Sequence, residues 1–178
     1  MYLTAERNVN REWVLGPRGG CALTALLPWR IILPGHTPAM SFPFPSPSWL
    51  EAASQALNQD ERYAQVAHKW EGDCLFQVED ELTGAPLSWL YFDLWHGKCR
   101  RAQVFGPSAQ DMPRPAFTIS ASLEHFLQVL GGKLDPIQAM LTRRLRVHGS
   151  MGYMLRNIPT VLDFVRVVSS VEIEPVHE

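Results

Sequence analysis

Histidine is the side chain best suited to metal binding and to proton transfer near neutral pH. No two of the six histidines are spaced so that they would share a helix or strand face as metal ligands, and we predict neither a metal site nor a cofactor. His125 is placed to satisfy the start of a predicted helix, and His148 falls on the predicted solvent face of a strand, so neither is predicted to be catalytic. The six are His36, His68, His96, His125, His148 and His177.

Two glycine-containing segments come close to known motifs of phosphate binding and nucleophilic catalysis. Gly131-Gly132-Lys133 is followed by Leu134 where a phosphate loop needs Ser or Thr, and the required earlier glycine is missing. Gly149-Ser150-Met151-Gly152 is one residue short of a nucleophile elbow. We therefore predict that the protein is not an enzyme.

The segment between Phe117 and Asn157 has the clearest pattern of secondary structure. Phe117, Ile119 and Ala121 alternate with polar residues, which predicts a strand, and Ser122 is placed to cap the next helix. Gly131-Gly132 ends that helix, and Asp135-Pro136 begins another. The segment 144–149 alternates basic and apolar residues, which predicts a further strand with one solvent face.

This order of elements resembles the sterol carrier protein 2 family of lipid-binding domains. The matching motifs are Gly132-Lys133-Leu134-Asp135-Pro136 and Arg144-Leu145-Arg146-Val147-His148-Gly149, and the likeness extends more loosely from about Trp49 to Val171. The chain departs from the family pattern in two turns. Thr142-Arg143 replaces a frequent glycine, and Ser150 replaces a frequent Asp or Asn.

Composition favours a soluble globular chain with one folded domain. A net charge of −2 and 46% hydrophobic residues favour neither disorder nor a nucleic-acid partner. The cysteines Cys21, Cys74 and Cys99 are odd in number and far apart, which favours free thiols in a reducing compartment. Peroxisomal members of the family end in a targeting tripeptide, whereas this chain ends Val176-His177-Glu178, so the resemblance implies a cytoplasmic location.

Residues 1–47 form a predicted extension, because seven of the 14 prolines fall there and helical or strand periodicity is missing. Its apolar run from Cys21 to Leu33 is broken by Pro28 and Arg30, and it is shorter than the ~20 residues that a membrane span needs. Met40 is an alternative start. We assign residues 48–172 to the lipid-binding domain and 173–178 to a short tail.

The predicted domain opens with two helices and a three-stranded meander. Ser48 and Glu51 form a capping box before the first helix, and the second helix follows Asp60. The strands are predicted at Cys74 to Asp80, Leu87 to Trp95 and Lys98 to Phe105. Both faces of the middle strand are largely apolar, so it is expected to be covered on both sides.

The last predicted element is a helix from Ile158 to Val171 that is apolar over more than half its circumference. Two interpretations remain open for it, a buried core helix and a helix that closes a hydrophobic tunnel, as the family resemblance implies. Methionines near it are soft enough to adapt to varied lipids or to fill a core. Residues predicted to line the pocket are Trp89, Phe92, Phe126, Leu130, Met140, Met151, Met154, Leu155, Leu162 and Val165.

The predicted fold is an α/β (α+β) domain with a mostly antiparallel five-stranded sheet, helices on one face and an apolar tunnel. The resemblance implies non-covalent binding, and transfer, of a sterol, fatty acyl or isoprenoid lipid. The alternatives are an accessory factor that presents a hydrophobic intermediate to a partner enzyme, as in isoprenoid-quinone synthesis, and a lipid-modifying enzyme. Arg143, Arg144 and Arg146 form a basic cluster that fits either a solvated strand edge or lipid phosphates and an acidic partner, so transient membrane contact stays open.

Overall fold

A computed structural model of the chain describes residues 41–174. Within that range the helices are α1 Pro47–Gln59, α2 Glu61–Val66, α3 Leu123–Leu130, α4 Pro136–Leu141, α5 Met151–Arg156 and α6 Ile158–Val168. The strands are β1 Cys74–Glu79, β2 Pro86–Trp95, β3 Lys98–Phe105, β4 Phe117–Ser122 and β5 Arg146–His148. The predictions for residues 1–39, for the segment Cys21 to Leu33 and for the last four residues lie outside the described range.

The five strands form one sheet in the order β3-β2-β1-β4-β5. The predicted meander is confirmed, because β1 pairs antiparallel with β2 and β2 with β3. The neighbours β1 and β4 run parallel, and β4 and β5 are antiparallel. The prediction of a mixed α/β fold with a mostly antiparallel five-stranded sheet is therefore confirmed.

The β2–β3 hairpin turns at His96-Gly97, as predicted. Both residues have positive φ, 48° and 75°, which is the backbone that a two-residue hairpin with the right strand twist requires. A Cβ atom at Gly97 would lie 2.6 Å from the carbonyl oxygen of Ala64. Gly97 therefore permits both the turn and the close approach of α2 to the sheet.

Short-range polar contacts set the beginnings of the helices. Asp60, Ser122 and Asp135 each accept a hydrogen bond from a backbone amide three residues on, as predicted for the starts of α2, α3 and α4. The predicted cap at Ser48 is wrong, because Ser46 accepts from the Trp49 amide at 3.1 Å and α1 begins at Pro47. Proline has no amide hydrogen and fits the first helical position, so the helix begins earlier than the Ser48 box implied.

The C-terminal helical region consists of two helices instead of one. Ser150 accepts from the Tyr153 amide and begins α5, so the residue that departs from the family pattern acts as a helix cap. Helix α6 ends at Val168, three residues before the predicted end. Asn157 alone separates α5 from α6, and Pro159 lies in the first turn of α6.

A buried carboxylate ties α6 to α2. Asp163 is 3% exposed and accepts hydrogen bonds from Arg166 and forms an ion pair with Arg62 at 3.0 Å. Arg166 also pairs with Asp60 at 2.8 Å, and this contact lowers the pKa of the Asp60 carboxyl. The cluster holds α6 in a defined rotation, with Phe164 and Val165 turned toward the sheet.

The N-terminal approach to α1 contacts the far end of the domain. Phe42 exchanges two backbone hydrogen bonds with Glu172 and Glu174, and its strand bridge is with Ile173. The ring of Phe44 meets that of Trp49 edge-on, with centroids 4.7 Å apart. The sequence pattern assigned Phe42 and Phe44 to the extension and Ile173 and Glu174 to the tail, and Phe42, Phe44 and Ile173 pack against the core of the domain.

We expect a protein that starts at Met40 to melt at the same temperature as the full chain, because the proline-rich residues before it lack helical or strand periodicity. A protein that starts at Pro47 should melt at least about 5 °C lower, since it loses the Phe42 bridge and the Phe44–Trp49 contact, together worth at least ~2 kcal/mol. Thermal unfolding followed by circular dichroism measures both. A drop of more than about 5 °C on removing residues 1–39 would show that this segment stabilises the domain.

Candidate functional site

The first of two apolar cavities lies between the sheet and helices α2, α4, α5 and α6. Its volume is roughly 70 Å³. Strands β1, β2 and β4 form its floor, and the helices form its roof. It is lined by Tyr63, Trp70, Cys74, Phe76, Leu94, Ile119, Pro136, Met140, Leu145, Met154, Thr160, Val161, Phe164 and Val165.

The second cavity lies beside the first, under α1, α3 and α6. Its volume is roughly 60 Å³, and strands β1 and β2 form its floor. It is lined by Phe44, Trp49, Phe76, Leu90, Phe92, Phe126, Val129, Leu130, Leu145, Phe164, Val165 and Val168.

Four side chains line both cavities and form the partition between them: Phe76, Leu145, Phe164 and Val165. The rings of Phe76 and Phe164 stack with a 2° angle between planes and centroids 5.8 Å apart. Phe92 meets the Phe164 ring edge-on at 5.5 Å. The two cavities are thus separated by packed side chains and not by backbone.

The cavity walls carry no charged side chain among the residues that the structure describes. Burial raises the pKa of the Cys74 thiol and of the Tyr63 hydroxyl, so both stay protonated and neutral at physiological pH. The Thr160 hydroxyl donates to the carbonyl oxygen of Val66 at 3.3 Å. Such walls suit a hydrocarbon and disfavour a charged group.

The two sequence motifs position cavity residues. Asp135 caps α4 and sets Pro136 in its first turn, where Pro136 lines the first cavity. Leu145, from the second motif, lines both cavities and is 6% exposed. Between the motifs, Arg143 takes φ 62°, a left-handed conformation that glycine adopts with less strain. Arg143 thus stands at the turn where the family pattern often has glycine.

Six of the ten predicted pocket residues line the two cavities. Met140 and Met154 line the first, and Val165 lines both. Phe92, Phe126 and Leu130 line the second.

The other four predicted residues line neither cavity. Trp89 points to the opposite side of the sheet from Leu90 and Phe92, because side chains alternate along β2. Leu155 and Leu162 are 42% and 41% exposed on the outer sides of α5 and α6. Met151, at the start of α5, packs against the core as a half-buried side chain.

Sequence reasoning missed the partition residues Phe76, Leu145 and Phe164. On the predicted last helix, which is apolar over more than half its circumference, Leu162 and Val165 were predicted to line the pocket and Phe164 was not. The buried Asp163, between Leu162 and Phe164, distinguishes the inward from the outward face of α6, because its pairing with Arg62 and Arg166 fixes the rotation of the helix. The pairing with Arg62 joins residues far apart in sequence and is not visible in a local pattern.

The described histidines lie away from the cavity walls. His125 Nδ1 is 3.0 Å from the Ser122 hydroxyl oxygen at the start of α3, the position predicted for it. His148 is exposed on β5. Across residues 41–174, no three side chains of His, Cys, Asp or Glu are grouped so as to hold a metal ion. In the same part of the chain, no helix has the length and apolar character needed to cross a bilayer.

Comparisons with known proteins agree with the fold. A crystal structure of sterol carrier protein 2 shares 30% identity and superposes with a TM-score of 0.62, covering 70% of this chain and 95% of the other. A solution structure of a protein from Thermus thermophilus, described as possibly a sterol carrier protein, shares 27% identity with a TM-score of 0.63, covering 73% of this chain and 90% of the other.

The comparison with curated proteins returned no match. The sequence profile of the SCP-2 sterol transfer family matches residues 50–161, well over half of the chain. That range contains all five strands and both motifs. The chain belongs to the SCP-2 sterol transfer family.

Proposed function

We propose that this protein binds one lipid of the sterol, fatty acyl or isoprenoid type and transfers it without covalent chemistry. The observation that carries the proposal is the pair of apolar cavities divided by the four-residue partition. Each cavity is smaller than the ~300 Å³ that a site for a drug-sized ligand begins at. Displacement of the Phe76–Phe164 ring pair joins the two spaces, and an outward movement of the roof helices α4 to α6 then widens the joined space into a tunnel for a lipid chain.

Burial of hydrocarbon drives the binding. Apolar surface that leaves water contributes about 25 cal/mol per Å², or roughly 0.8 kcal/mol per buried CH₂ group. Because the walls offer no charged partner, the polar head of the lipid stays at the mouth of the tunnel. Preference among lipids then follows from chain length and shape.

A carrier role, as opposed to an enzymatic one, is supported by the chemistry of the walls. The wall residues with reactive atoms are Tyr63, Cys74 and Thr160. Tyr63 and Cys74 are held neutral by burial, and Thr160 is engaged with a backbone carbonyl. Activation of a nucleophile would need a neighbouring base, which these side chains do not provide.

We place the carrier in the cytoplasm. The free thiols of Cys74 and Cys99 are both buried, which suits a reducing compartment. The proposed ligand is a small hydrophobic molecule. The carrier takes this lipid from one lipid-bearing surface and delivers it to another.

Cys74 allows a direct test, because its side chain lines the first cavity. In a Cys21→Ser, Cys99→Ala protein, Cys74 is the single thiol. Because burial keeps the Cys74 thiol protonated, it reacts with a small maleimide only when the first cavity opens transiently. We expect a fatty acid at ten or more times its Kd to slow this reaction by at least about tenfold, since the bound chain lowers the population of the open state. The measurement is the labelling rate by intact-mass spectrometry, with fatty-acid binding titrated in parallel.

Saturable binding without protection of Cys74 would place the lipid elsewhere, and no saturable binding up to the solubility limit would overturn the carrier function. Native mass spectrometry of protein from its own cells adds the identity of the lipid. A biosynthetic intermediate that stays bound and is not released to vesicles would favour the accessory role over transfer.

A further inference from the structure

The sequence segment that contains α4, α5 and the start of α6, the helices over the first cavity, is basic. Between Asp135 and Asp163 the sequence contains no Asp or Glu, while it contains four arginines, in a chain whose net charge is −2. Arg146 pairs with Glu79. For Arg143, Arg144 and Arg156, all exposed, no carboxylate of residues 41–174 lies within ion-pair distance. This part of the surface is therefore locally positive.

The same helices carry exposed leucines. Leu141 on α4 is 68% exposed, and Leu155 on α5 and Leu162 on α6 are about two-fifths exposed. Each directly follows a residue that lines the first cavity, namely Met140, Met154 and Val161. The solvent side of helices α4 to α6 thus carries exposed leucines, and the unpaired arginines lie just after α4 and at the end of α5. We call this surface the Leu/Arg face: Leu141, Arg143, Arg144, Leu155, Arg156 and Leu162.

The backbone at Arg143, one residue of the Leu/Arg face, is in a left-handed conformation. With φ 62° it occupies a left-handed position that costs a residue with a Cβ atom more than it costs glycine. The charge at this position is therefore accommodated in a strained turn, next to the exposed Arg144 and two residues from Leu141.

We propose that the Leu/Arg face docks on an anionic lipid bilayer, an inference that rests on the proposed lipid-carrying function. Helices that lie in a membrane interface insert apolar side chains to the headgroup–acyl boundary and keep basic side chains at the level of the phosphates. Each basic side chain near an anionic surface raises affinity by about fivefold. Docking there places the cavity roof, α4 to α6, against the source of the lipid.

The test compares charge removal on this face with matched charge removal elsewhere. The full chain is floated with phosphatidylcholine vesicles with and without phosphatidylglycerol. Wild type should bind the anionic vesicles, and added salt should weaken binding. Arg143→Gln with Arg144→Gln should lower affinity by about 25-fold, fivefold for each arginine. Arg101→Gln with Arg114→Gln, two exposed arginines on β3 and in the loop after it, makes the same change in net charge and should have little effect.

Leu141→Ser should weaken vesicle binding several-fold without changing net charge. An equal loss in the Arg101/Arg114 control, or no vesicle binding by wild type, would overturn the proposal. Retention on an immobilised acidic polypeptide without vesicle binding would assign the face to a protein partner and also overturn it. Binding of a soluble fatty acid without vesicles should be the same in all variants. If wild type does not bind the soluble fatty acid, the proposed carrier function fails, independently of the docking proposal.

Discussion

Replacement of Met154 by tryptophan is expected to weaken binding of a fluorescent fatty acid by at least about tenfold, or 1.4 kcal/mol. Met154 is 4% exposed and lines the first cavity from α5. The indole has more atoms than the thioether, and the roughly 70 Å³ cavity is the nearest space that can take them. The added ring would therefore occupy the volume that the lipid chain needs.

Leu162→Trp is the matched control, because the same side chain is introduced on the neighbouring helix but on its solvent side. It should leave fatty-acid affinity within a few-fold of wild type. Fluorescence titration gives both affinities, and urea unfolding reports the cost of overpacking, typically ~1–3 kcal/mol in a filled core. A Met154→Trp protein that is destabilised by this amount yet binds as tightly as wild type would mean that the cavity is ordinary core.

Phe164→Ala is expected to shift chain-length preference, raising the affinity for palmitic acid relative to decanoic acid by about tenfold. Removal of the ring opens the partition, so a longer chain can extend from one cavity into the other. Two more buried CH₂ groups at about 0.8 kcal/mol each are enough for this shift. Phe76→Ala opens the same partition from the sheet side and should act in the same direction.

A phenylalanine truncation in a core can cost ~3–5 kcal/mol of stability, so the comparison uses the ratio of two affinities measured on one preparation. That ratio does not depend on the folded fraction. Val161→Ala enlarges the first cavity without touching the partition and should leave the ratio near the wild-type value. An unchanged ratio in both phenylalanine variants would show that the partition does not limit the length of the bound chain.

The beginnings of most elements could be read from the chain because they depend on contacts within one turn. The caps at Asp60, Ser122 and Asp135 and the hairpin at His96-Gly97 are local features, and all four are confirmed. The error at Ser48 arose within the same local code, where two serines compete and Pro47 decides between them. Strand alternation likewise located the strands, and their pairing is mostly antiparallel, as predicted.

The composition of the cavity walls followed less completely from sequence. Phe92 and Phe126 were predicted because they lie on clear apolar faces of a strand and a helix. Trp89 was also predicted, although alternation places it on the side opposite Phe92, so period-two geometry alone separates the two. Leu155 and Leu162 sit on helices with broad apolar surfaces, where amphipathicity does not identify the inward face.

The sequence by itself determined the strands, the starts of α2, α3 and α4, the hairpin and the two motifs, because those depend on residues a few positions apart. Tertiary structure decided which face of α6 meets the sheet, since that rotation is held by the pairing of Asp163 with Arg62 across the fold. It also decided that Phe76 and Phe164 stack as a partition, because their contact exists only once β1 and α6 are packed together. Burial of side chains from distant segments, not local propensity, creates the two cavities and the wall between them.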